Sequence, residues 1–370
     1  LLFRFVQYIE RQVVLFDAVE DSSFQMVGRG DDDNVLGALI KNAEGNGDMR
    51  RKIVSKLKDF SVRLVLTAHP TQFYPGPVLG IINDLIDAIK TNDIHSIHLL
   101  LQQLGKTPFI NKNKPTPVDE AASLAWFLEN VFYKVASEIQ SFIDDELDVD
   151  TEEVKQLIEL GFWPGGDRDG NPNVSVESIK KVAALLRTIL FRCYYRDFRI
   201  VRRRITFRGV EEYMENLQTL FYENSFNPVE HPADETDNII TNLKAIKNVL
   251  EEYHNGLFVE IVDDLLRKVM TFGCFFTTLD IRQDSRILRE ATHYLIQQNQ
   301  EATGVPSDYL ELSEADKQKA LKFKELDLSV GEDADPLTQD TSGVIKLLKE
   351  IQRSGSERAA QRFIISNCQQ

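Results

Sequence analysis

The stretch that decides the fold is GFWPGGDRDGNPNV, residues 161–174. An apolar start runs into two adjacent glycines, then into Asp167, Arg168 and Asp169, and then into a further glycine and a proline. So many turn-forming residues predict a backbone that bends sharply and holds the three charges in fixed positions. Because loops on a rigid scaffold often carry binding residues, we predict that this loop belongs to a ligand site.

Composition excludes several classes of protein. The 370 residues include 43 Lys and Arg against 58 Asp and Glu, a net charge of −15, which predicts no dedicated nucleic-acid partner. Cys193, Cys274 and Cys368 are odd in number and far apart, which favours buried free thiols in a reducing, cytoplasmic compartment. No apolar run reaches about 18 residues, so we predict no membrane span.

The ends of the chain indicate a piece of a longer protein. The sequence begins at Leu1, inside an amphipathic pattern, and stops at Gln370, shortly after the apolar run 363–365. A strand there needs a partner and a following element, and we expect neither within this sequence. Residues 1–370 are therefore predicted to form a single N-terminal portion of a larger protein.

Four short apolar runs interrupt an otherwise helical pattern, and each of them leads into polar residues. The runs lie at 62–67, at the start of 161–174, at 275–281 and at 363–365, and they lead to His69, to Asp167 and Arg168, to Asp280 and Arg282, and to Asn367. About 80 to 110 mostly helical residues separate successive runs, far more than a standard connection between strand and helix. Since parallel strands need crossover connections, we predict an α-rich α/β fold with about four strands of a TIM-like barrel and many inserted helices. Active sites of such barrels lie at the carboxyl ends of the strands.

Apolar residues at helical spacing predict helices over most of the remaining chain. The predicted helices cover 1–25, 35–60, 78–90, 93–104, 118–147, 151–160, 176–208, 213–221, 239–253, 258–271, 287–298, 313–326 and 344–353. An acidic loop is predicted over 329–340.

Two residues that follow strands are the first candidates for chemistry. A lone histidine in apolar surroundings is more often a core residue, but the place of His69 at a strand end favours a role in moving a proton or stabilising an anion. Arg282 offers a planar fork of donors that suits phosphate or carboxylate. The alternative for Arg282 is a structural salt bridge with Asp280 or Asp284.

Two further residues of the central loop leave alternatives open. Arg168 is either held by Asp167 and Asp169 as scaffold or available to a ligand. Trp163 either lines a pocket or fills the core, as buried tryptophans commonly do.

One predicted helix is rich in arginine. Its arginines are Arg187, Arg192, Arg196, Arg199, Arg202, Arg203, Arg204 and Arg208. Four of them, at 192, 196, 199 and 203, share one helical face. In so acidic a chain, pairing with carboxylates of neighbouring helices is favoured over a nucleic-acid stripe.

At these residues the chain resembles the phosphoenolpyruvate carboxylases. Four segments resemble signature segments of that family in order: VLTAHPTQ (65–72), KPTPVDEA (114–121), GGDRDGNPNV (165–174) and LDIRQDS (279–285). Two more, LSEADKQKAL (312–321) and GSERAAQRFIIS (355–366), resemble weaker family segments.

The resemblance implies an eight-stranded barrel of the phosphoenolpyruvate/pyruvate type, usually assembled as a homotetramer. It implies a Mg²⁺- or Mn²⁺-dependent addition of bicarbonate to phosphoenolpyruvate, which gives oxaloacetate and phosphate through carboxyphosphate and the enolate of pyruvate. The metal ligands, a catalytic lysine and a second glycine-rich loop are expected in the other half of the protein. This fragment is therefore expected to hold no metal and to be inactive alone.

The resemblance also implies roles for single residues. His69 matches the catalytic histidine that assists transfer to or from carboxyphosphate, and Arg282 matches an arginine that holds the substrate phosphate. Arg168 and its neighbour Asp167 match the glycine-rich active-site segment, and Trp163 matches a tryptophan linked to bicarbonate. We therefore predict that His69 and Arg282 converge on one rim and bind one small phosphorylated anion.

One departure from the family supports an alternative. Residues 73–80 (FYPGPVLG) lack the pair of arginines that usually follows the histidine segment. The alternative is a helical interaction protein that kept the fold and lost catalysis.

Overall fold

The computed structural model describes most of the chain in eleven segments. These are residues 2–27, 47–57, 60–67, 74, 76–109, 115–147, 157–227, 232–306, 308–320, 330–331 and 333–368. The described residues are mostly helical, with small parallel sheets. They fall into two compact units, the first made of Leu1–Ile53 with His69–Lys114 and the second of Val54–Ala68 with Pro115–Gln370.

The first unit is helical. Its helices are α1 (Leu2–Val27), α3 (Gly76–Lys90) and α4 (Ile94–Leu104), and α2 (Gly47–Leu57) runs across the boundary to the second unit. Val14 and Ala18 of α1 and Val78, Ile81 and Leu85 of α3 are buried in one apolar cluster. The helices predicted at 1–25, 78–90 and 93–104 are confirmed. The helix predicted at 35–60 is described only in part: residues 47–57 form α2, and residues 35–46 and 58–59 lie outside the described residues.

The second unit holds the other helices. They are α5 (Pro117–Phe127), α6 (Tyr133–Leu147), α7 (Val176–Arg204), α8 (Glu211–Phe226), α9 (Thr236–Tyr253), α10 (Val259–Phe272), α11 (Ser285–Gln298), α12 (Gln300–Thr303), α13 (Glu314–Ala320) and α14 (Pro336–Gly355). A π-helical turn, Leu128–Phe132, joins α5 to α6, so the predicted helix 118–147 is confirmed as one helical run. Ser175 and Ser178 form a capping box that begins α7.

Five strands carry the sheets of this unit, and all of their pairings are parallel. The strands are β1 (Val62–Leu66), β2 (Ile158–Phe162), β3 (Thr278–Leu279), β4 (Ile281–Asp284) and β5 (Phe363–Ser366). One sheet has the order β1-β2-β3 and the other pairs β4 with β5. β3 and β4 follow one another with only Asp280 between them. The described strands form open sheets, and no closed barrel is seen in this part of the chain.

Three predictions of local structure were wrong. The predicted helix 151–160 ends as strand β2, because its apolar residues pair in parallel with β1; residues 151–156 lie outside the described residues. The strand at 363–365 was expected to lack a partner, but it pairs with β4, with Phe363 opposite Ile281. The acidic loop predicted up to residue 340 ends earlier, because Asp335 accepts hydrogen bonds from the backbone N–H groups of Leu337 and Thr338 and so begins α14 at Pro336.

Helix α7 lies at the centre of the apolar core of the second unit. Phe191, Tyr194 and Phe198 are fully buried, and the Tyr194 ring lies 5.8 Å from the ring of Phe221 on α8. Of the arginines that share a face, Arg196 lies 3.7 Å from Glu129 of the π-helical turn, the kind of pairing that was predicted, and 3.6 Å from Asp197 on its own helix. Arg192 donates instead to the carbonyl of Ser225. No described helix is long and apolar enough to cross a membrane.

The three cysteines differ in exposure, which predicts their reactivity. All three are free thiols, and Cys193 and Cys274 are buried as predicted. The prediction of burial was wrong for Cys368, which is exposed because it follows β5, the last of the described strands. Burial raises the pKa of the Cys193 thiol to about 12 and also raises the pKa of Cys274. A thiol with a pKa near 12 is only about 10⁻⁴ thiolate in mildly alkaline buffer, and the thiolate is the reactive form.

We therefore expect the native protein to react with a disulfide reagent such as DTNB at Cys368 alone, and at all three cysteines after denaturation. The change in absorbance counts the thiols directly. A Cys368→Ser variant is the control and should show no rapid reaction. Rapid reaction of that variant in its native state would contradict the burial of Cys193 and Cys274.

Candidate functional site

The two adjacent glycines of the central loop bring it against β4. Gly165 has a φ of +77°, and a Cβ added to Gly166 would collide with the backbone carbonyl oxygen of Asp280. The Arg282 N–H donates to the carbonyl of Gly166 at 3.0 Å, and the Arg168 N–H donates to the carbonyl of Arg282 at 2.9 Å. The loop thus extends the sheet alongside β4, and this close approach requires glycine at position 166.

Arg282 lies at the centre of a cluster of charged and aromatic side chains. Its two terminal nitrogens donate to the carboxylates of Asp167 at 2.7 Å and Asp169 at 2.9 Å. Its guanidinium carbon lies 4.7 Å from the centre of the Trp163 ring, a cation–π distance. The Arg282 side chain remains 23% exposed. Salt bridges therefore form, but with the loop carboxylates and not with Asp280 or Asp284, the partners considered from the sequence.

A buried carboxylate, that of Asp280, binds the Trp163 side chain of this cluster. Asp280 is fully buried, and it accepts hydrogen bonds from Arg63 Nη2 at 2.6 Å and from Trp163 Nε1 at 3.1 Å. Arg63 lies on β1 and crosses the intervening strand β2 at Gly161, where a Cβ would lie 2.6 Å from its Nη2 atom. The chain of contacts from Arg63 through Asp280 and Trp163 fixes the ring on which Arg282 stacks.

Sequence reasoning missed Arg63. The available signal is a basic residue inside the apolar strand VRLVL, because a buried charge needs a partner. The partner could not be read from spacing, since Asp280 lies 217 residues further along the chain.

Arg168 anchors the loop. Its side chain is buried; Nε donates to Gln283 of β4 at 2.6 Å, and Nη1 lies 2.6 Å from a carboxylate oxygen of Asp340 on α14. Asp340 also accepts a hydrogen bond from the backbone N–H of Val176, at the start of α7. Arg168 is therefore held as scaffold, but by β4 and α14 and not by Asp167 and Asp169.

The second carboxylate of the LDIRQDS segment is structural. Asp284 caps α11, and it accepts hydrogen bonds from the Arg286 side chain and from Asn367 after β5. These hydrogen bonds, that of Arg286 first, hold the pKa of Asp284 below its ordinary value. Asp284 thus joins β4, α11 and the end of β5.

One predicted residue, His69, is not brought to this site by the described residues. His69 lies outside them, so its convergence with Arg282 stays a prediction. Among the described residues, no group of three or more His, Cys, Asp or Glu side chains is arranged to hold a metal ion. Asp167 and Asp169 are both engaged by Arg282.

The fold and the site together define a helical α/β protein with an arginine–carboxylate cluster beside its parallel strands. A family model described as phosphoenolpyruvate carboxylase matches residues 16–230 and 214–370, so the chain belongs to the phosphoenolpyruvate carboxylase family. This match confirms the resemblance seen in the signature segments.

Individual relatives agree with this membership. The chain is 27% identical over 319 residues to a phosphoenolpyruvate carboxylase of Aeromonas salmonicida, and 28% identical over 320 residues to that of Aeromonas hydrophila. Each alignment covers 73% of this chain and 35% of the relative. Phosphoenolpyruvate carboxylase 1 of Chlamydomonas reinhardtii is 30% identical over 180 residues, 43% of this chain and 18% of that protein. The chain therefore spans about a third of the length of the curated relatives that it matches.

Proposed function

We propose that the protein containing these residues forms oxaloacetate and phosphate from phosphoenolpyruvate and bicarbonate, and that Arg282 binds the substrate phosphate. The observation that carries the role of Arg282 is its arrangement, stacked on Trp163 and held by Asp167 and Asp169 while still 23% exposed. A guanidinium held in one orientation loses less conformational freedom when it binds an anion.

The hydrogen-bond inventory of Arg282 supports this role. A guanidinium has five N–H donors, and the two carboxylates use one each on the two terminal nitrogens. The remaining donors are enough for a bidentate contact with phosphate oxygens. The carboxylates then orient Arg282, and Arg168 serves the site by holding the loop in place. The proposed catalytic role of His69 and the proposed contacts of Trp163 with bicarbonate and of Asp167 with substrate stay as the family resemblance implies them.

We also propose that the strands belong to an incomplete TIM-like barrel of the phosphoenolpyruvate/pyruvate type. β3 and β4 are consecutive around Asp280, so the two sheets form one parallel series, β1, β2, β3 with β4, and β5. A series of parallel strands separated by helices is what half of such a barrel would contribute.

The proposals for a cofactor and for an oligomeric state are based on family membership alone. The family generally uses a divalent metal, here proposed as Mg²⁺ or Mn²⁺, but the described residues do not fit a metal site. Its ligands are proposed to lie outside these 370 residues. A cytoplasmic homotetramer is proposed on the same basis.

The test is oxaloacetate formation by the complete protein, followed through coupled reduction to malate. Arg282→Gln removes charge-assisted hydrogen bonds worth about 2 kcal/mol, so we expect KM for phosphoenolpyruvate to rise about 30-fold. Arg289→Gln, on the exposed surface of α11, is the matched control and should leave KM unchanged. An unchanged KM in Arg282→Gln would remove the phosphate-binding role.

The same assay separates the second candidate function. Residues 73–80 lack the arginine pair usual in the family, which favours a helical interaction protein without catalysis. Complete protein that is folded but forms no oxaloacetate with bicarbonate and Mg²⁺ would support that alternative. Activity in the 370-residue chain alone would contradict the expectation that essential groups lie outside it.

A further inference from the structure

A cavity lies apart from the Arg282 cluster. It has a volume of about 480 Å³ and lies between α7, the segment 274–279 that enters β3, and the last turns of α14. None of Trp163, Asp167, Asp169 or Arg282 lines it. Its walls are largely apolar, formed among others by Leu186, Phe276, Leu279, Leu347 and Ile351.

Two polar groups in this cavity are buried without a hydrogen-bond partner among the described residues. They are Nε of Arg187 and the hydroxyl of Thr277, and both residues line the cavity. Thr277 is only 3% exposed. Buried donors in native proteins are almost always paired, because an unpaired one loses its hydration without compensation. Two such groups in one cavity can be satisfied there by water or by the polar atoms of a ligand.

Arg187 forms no salt bridge among the described residues, although Asp234 and Glu235 lie near enough to act on its charge and its guanidinium carbon lies 4.7 Å from the centre of the Phe191 ring. Its terminal nitrogens donate to neutral acceptors only: the carbonyls of Cys274, Ser354 and Ala233 and the side-chain amide of Asn224. No carboxylate lies within ion-pair distance of Arg187 in the described part of the chain. Burial lowers the pKa of the Arg187 guanidinium, as expected for a cation removed from water.

Among the charged side chains that line the cavity, positive ones outnumber negative ones. Lys180 and Arg353 line the cavity together with Arg187, against one carboxylate, that of Glu350. Glu350 and Arg353 are exposed, so they lie towards solvent while Arg187 and Thr277 lie deeper. A cavity with positive charge at its base and apolar walls favours an anion with an apolar body.

We propose that this cavity binds a small organic carboxylate, with its anionic oxygens at Arg187 and Thr277 and its apolar body against Leu186, Phe276 and Leu347. A carboxylate fits better than a phosphate dianion, because Arg187 has already committed its terminal donors and the apolar walls would leave a second charge unsolvated. This site is separate from the proposed carboxylase chemistry and does not depend on it.

The test uses benzoate as the probe and benzyl alcohol as its neutral counterpart. Saturation-transfer NMR detects binding to the complete protein, and titration gives the dissociation constants. We expect millimolar binding of benzoate, at least tenfold tighter than that of benzyl alcohol. Arg187→Gln should weaken benzoate binding at least tenfold, and Thr277→Val, which keeps the shape of the side chain, about threefold. Arg192→Gln, on the same helix but outside the cavity, should have no effect.

Several results would overturn the proposal. They are no saturation transfer to benzoate, equal affinity for benzoate and benzyl alcohol, or unchanged benzoate affinity in folded Thr277→Val protein. If Arg187→Gln fails to fold, because four acceptors lose their donor, Thr277→Val and the comparison of the two probes decide the matter. Since phosphoenolpyruvate is absent from these measurements, their outcome is independent of the carboxylase assay.

Discussion

Replacing Asp280 by asparagine is expected to lower the free energy of unfolding by about 3 kcal/mol, measured by urea denaturation. The carboxylate is fully buried and accepts from two donors, Arg63 at 2.6 Å and Trp163 at 3.1 Å. An asparagine offers one oxygen for the two donors and turns its own N–H groups towards one of them. It also leaves the Arg63 charge, which is 17% exposed, without a carboxylate.

The partner and a surface pair provide the controls. The double variant Arg63→Met with Asp280→Asn should cost less than the sum of the single variants, because removing both charges leaves none unpaired. Asp263→Asn breaks the Lys247–Asp263 pair, whose side chains are 32% and 25% exposed, and should cost at most about 1 kcal/mol. An effect of Asp280→Asn no larger than that of Asp263→Asn would contradict the importance of the buried carboxylate.

A spectroscopic readout tests the same contact. In a Trp126→Phe background, Trp163 is the remaining tryptophan of this chain. Loss of its hydrogen bond to Asp280 should shift its emission, while Asp263→Asn should leave the emission unchanged. The shift reports the position of the ring on which Arg282 stacks.

The parts of the fold that local patterns determine were predictable from the sequence. Helices such as α1 and α7 show apolar spacing over many turns, and β1 is a short β-branched run. β2 was mistaken for the end of a helix because its identity depends on pairing with β1, almost 100 residues earlier, and such pairing leaves no local signal. The start of α14 was missed although Asp335 and Pro336 give a recognisable helix start.

In the candidate site, too, some residues were predictable from the sequence and others were not. Arg282 and the loop at 165–170 were found because turn residues and charges at a strand end are visible in the sequence. Their partners were not, since Arg168 reaches Gln283 and Thr341 across 115 and 173 residues. Arg187 was grouped with the arginines of α7, yet its partners are carbonyls and an amide. Spacing along one helix tells which side chains share a face, but not which groups from other elements meet them.

Gly166→Ala is expected to lower the free energy of unfolding by about 3 kcal/mol, the upper part of the usual range for overpacking. The added Cβ would collide with the carbonyl oxygen of Asp280, and a backbone atom cannot rotate away as a side chain can. Relief requires the loop to move away from β4, which breaks the hydrogen bonds that Gly166 and Arg168 share with Arg282.

Gly170→Ala is the control. The surroundings of Gly170 are open, so only its φ of +72° opposes the substitution, at a cost of about 1 kcal/mol. Equal urea midpoints for the two variants would show that the close approach at Gly166 is not what fixes the loop. If Gly166→Ala also raises KM for phosphoenolpyruvate in folded complete protein while Gly170→Ala does not, the position of Arg282 relative to the loop is what the substrate requires.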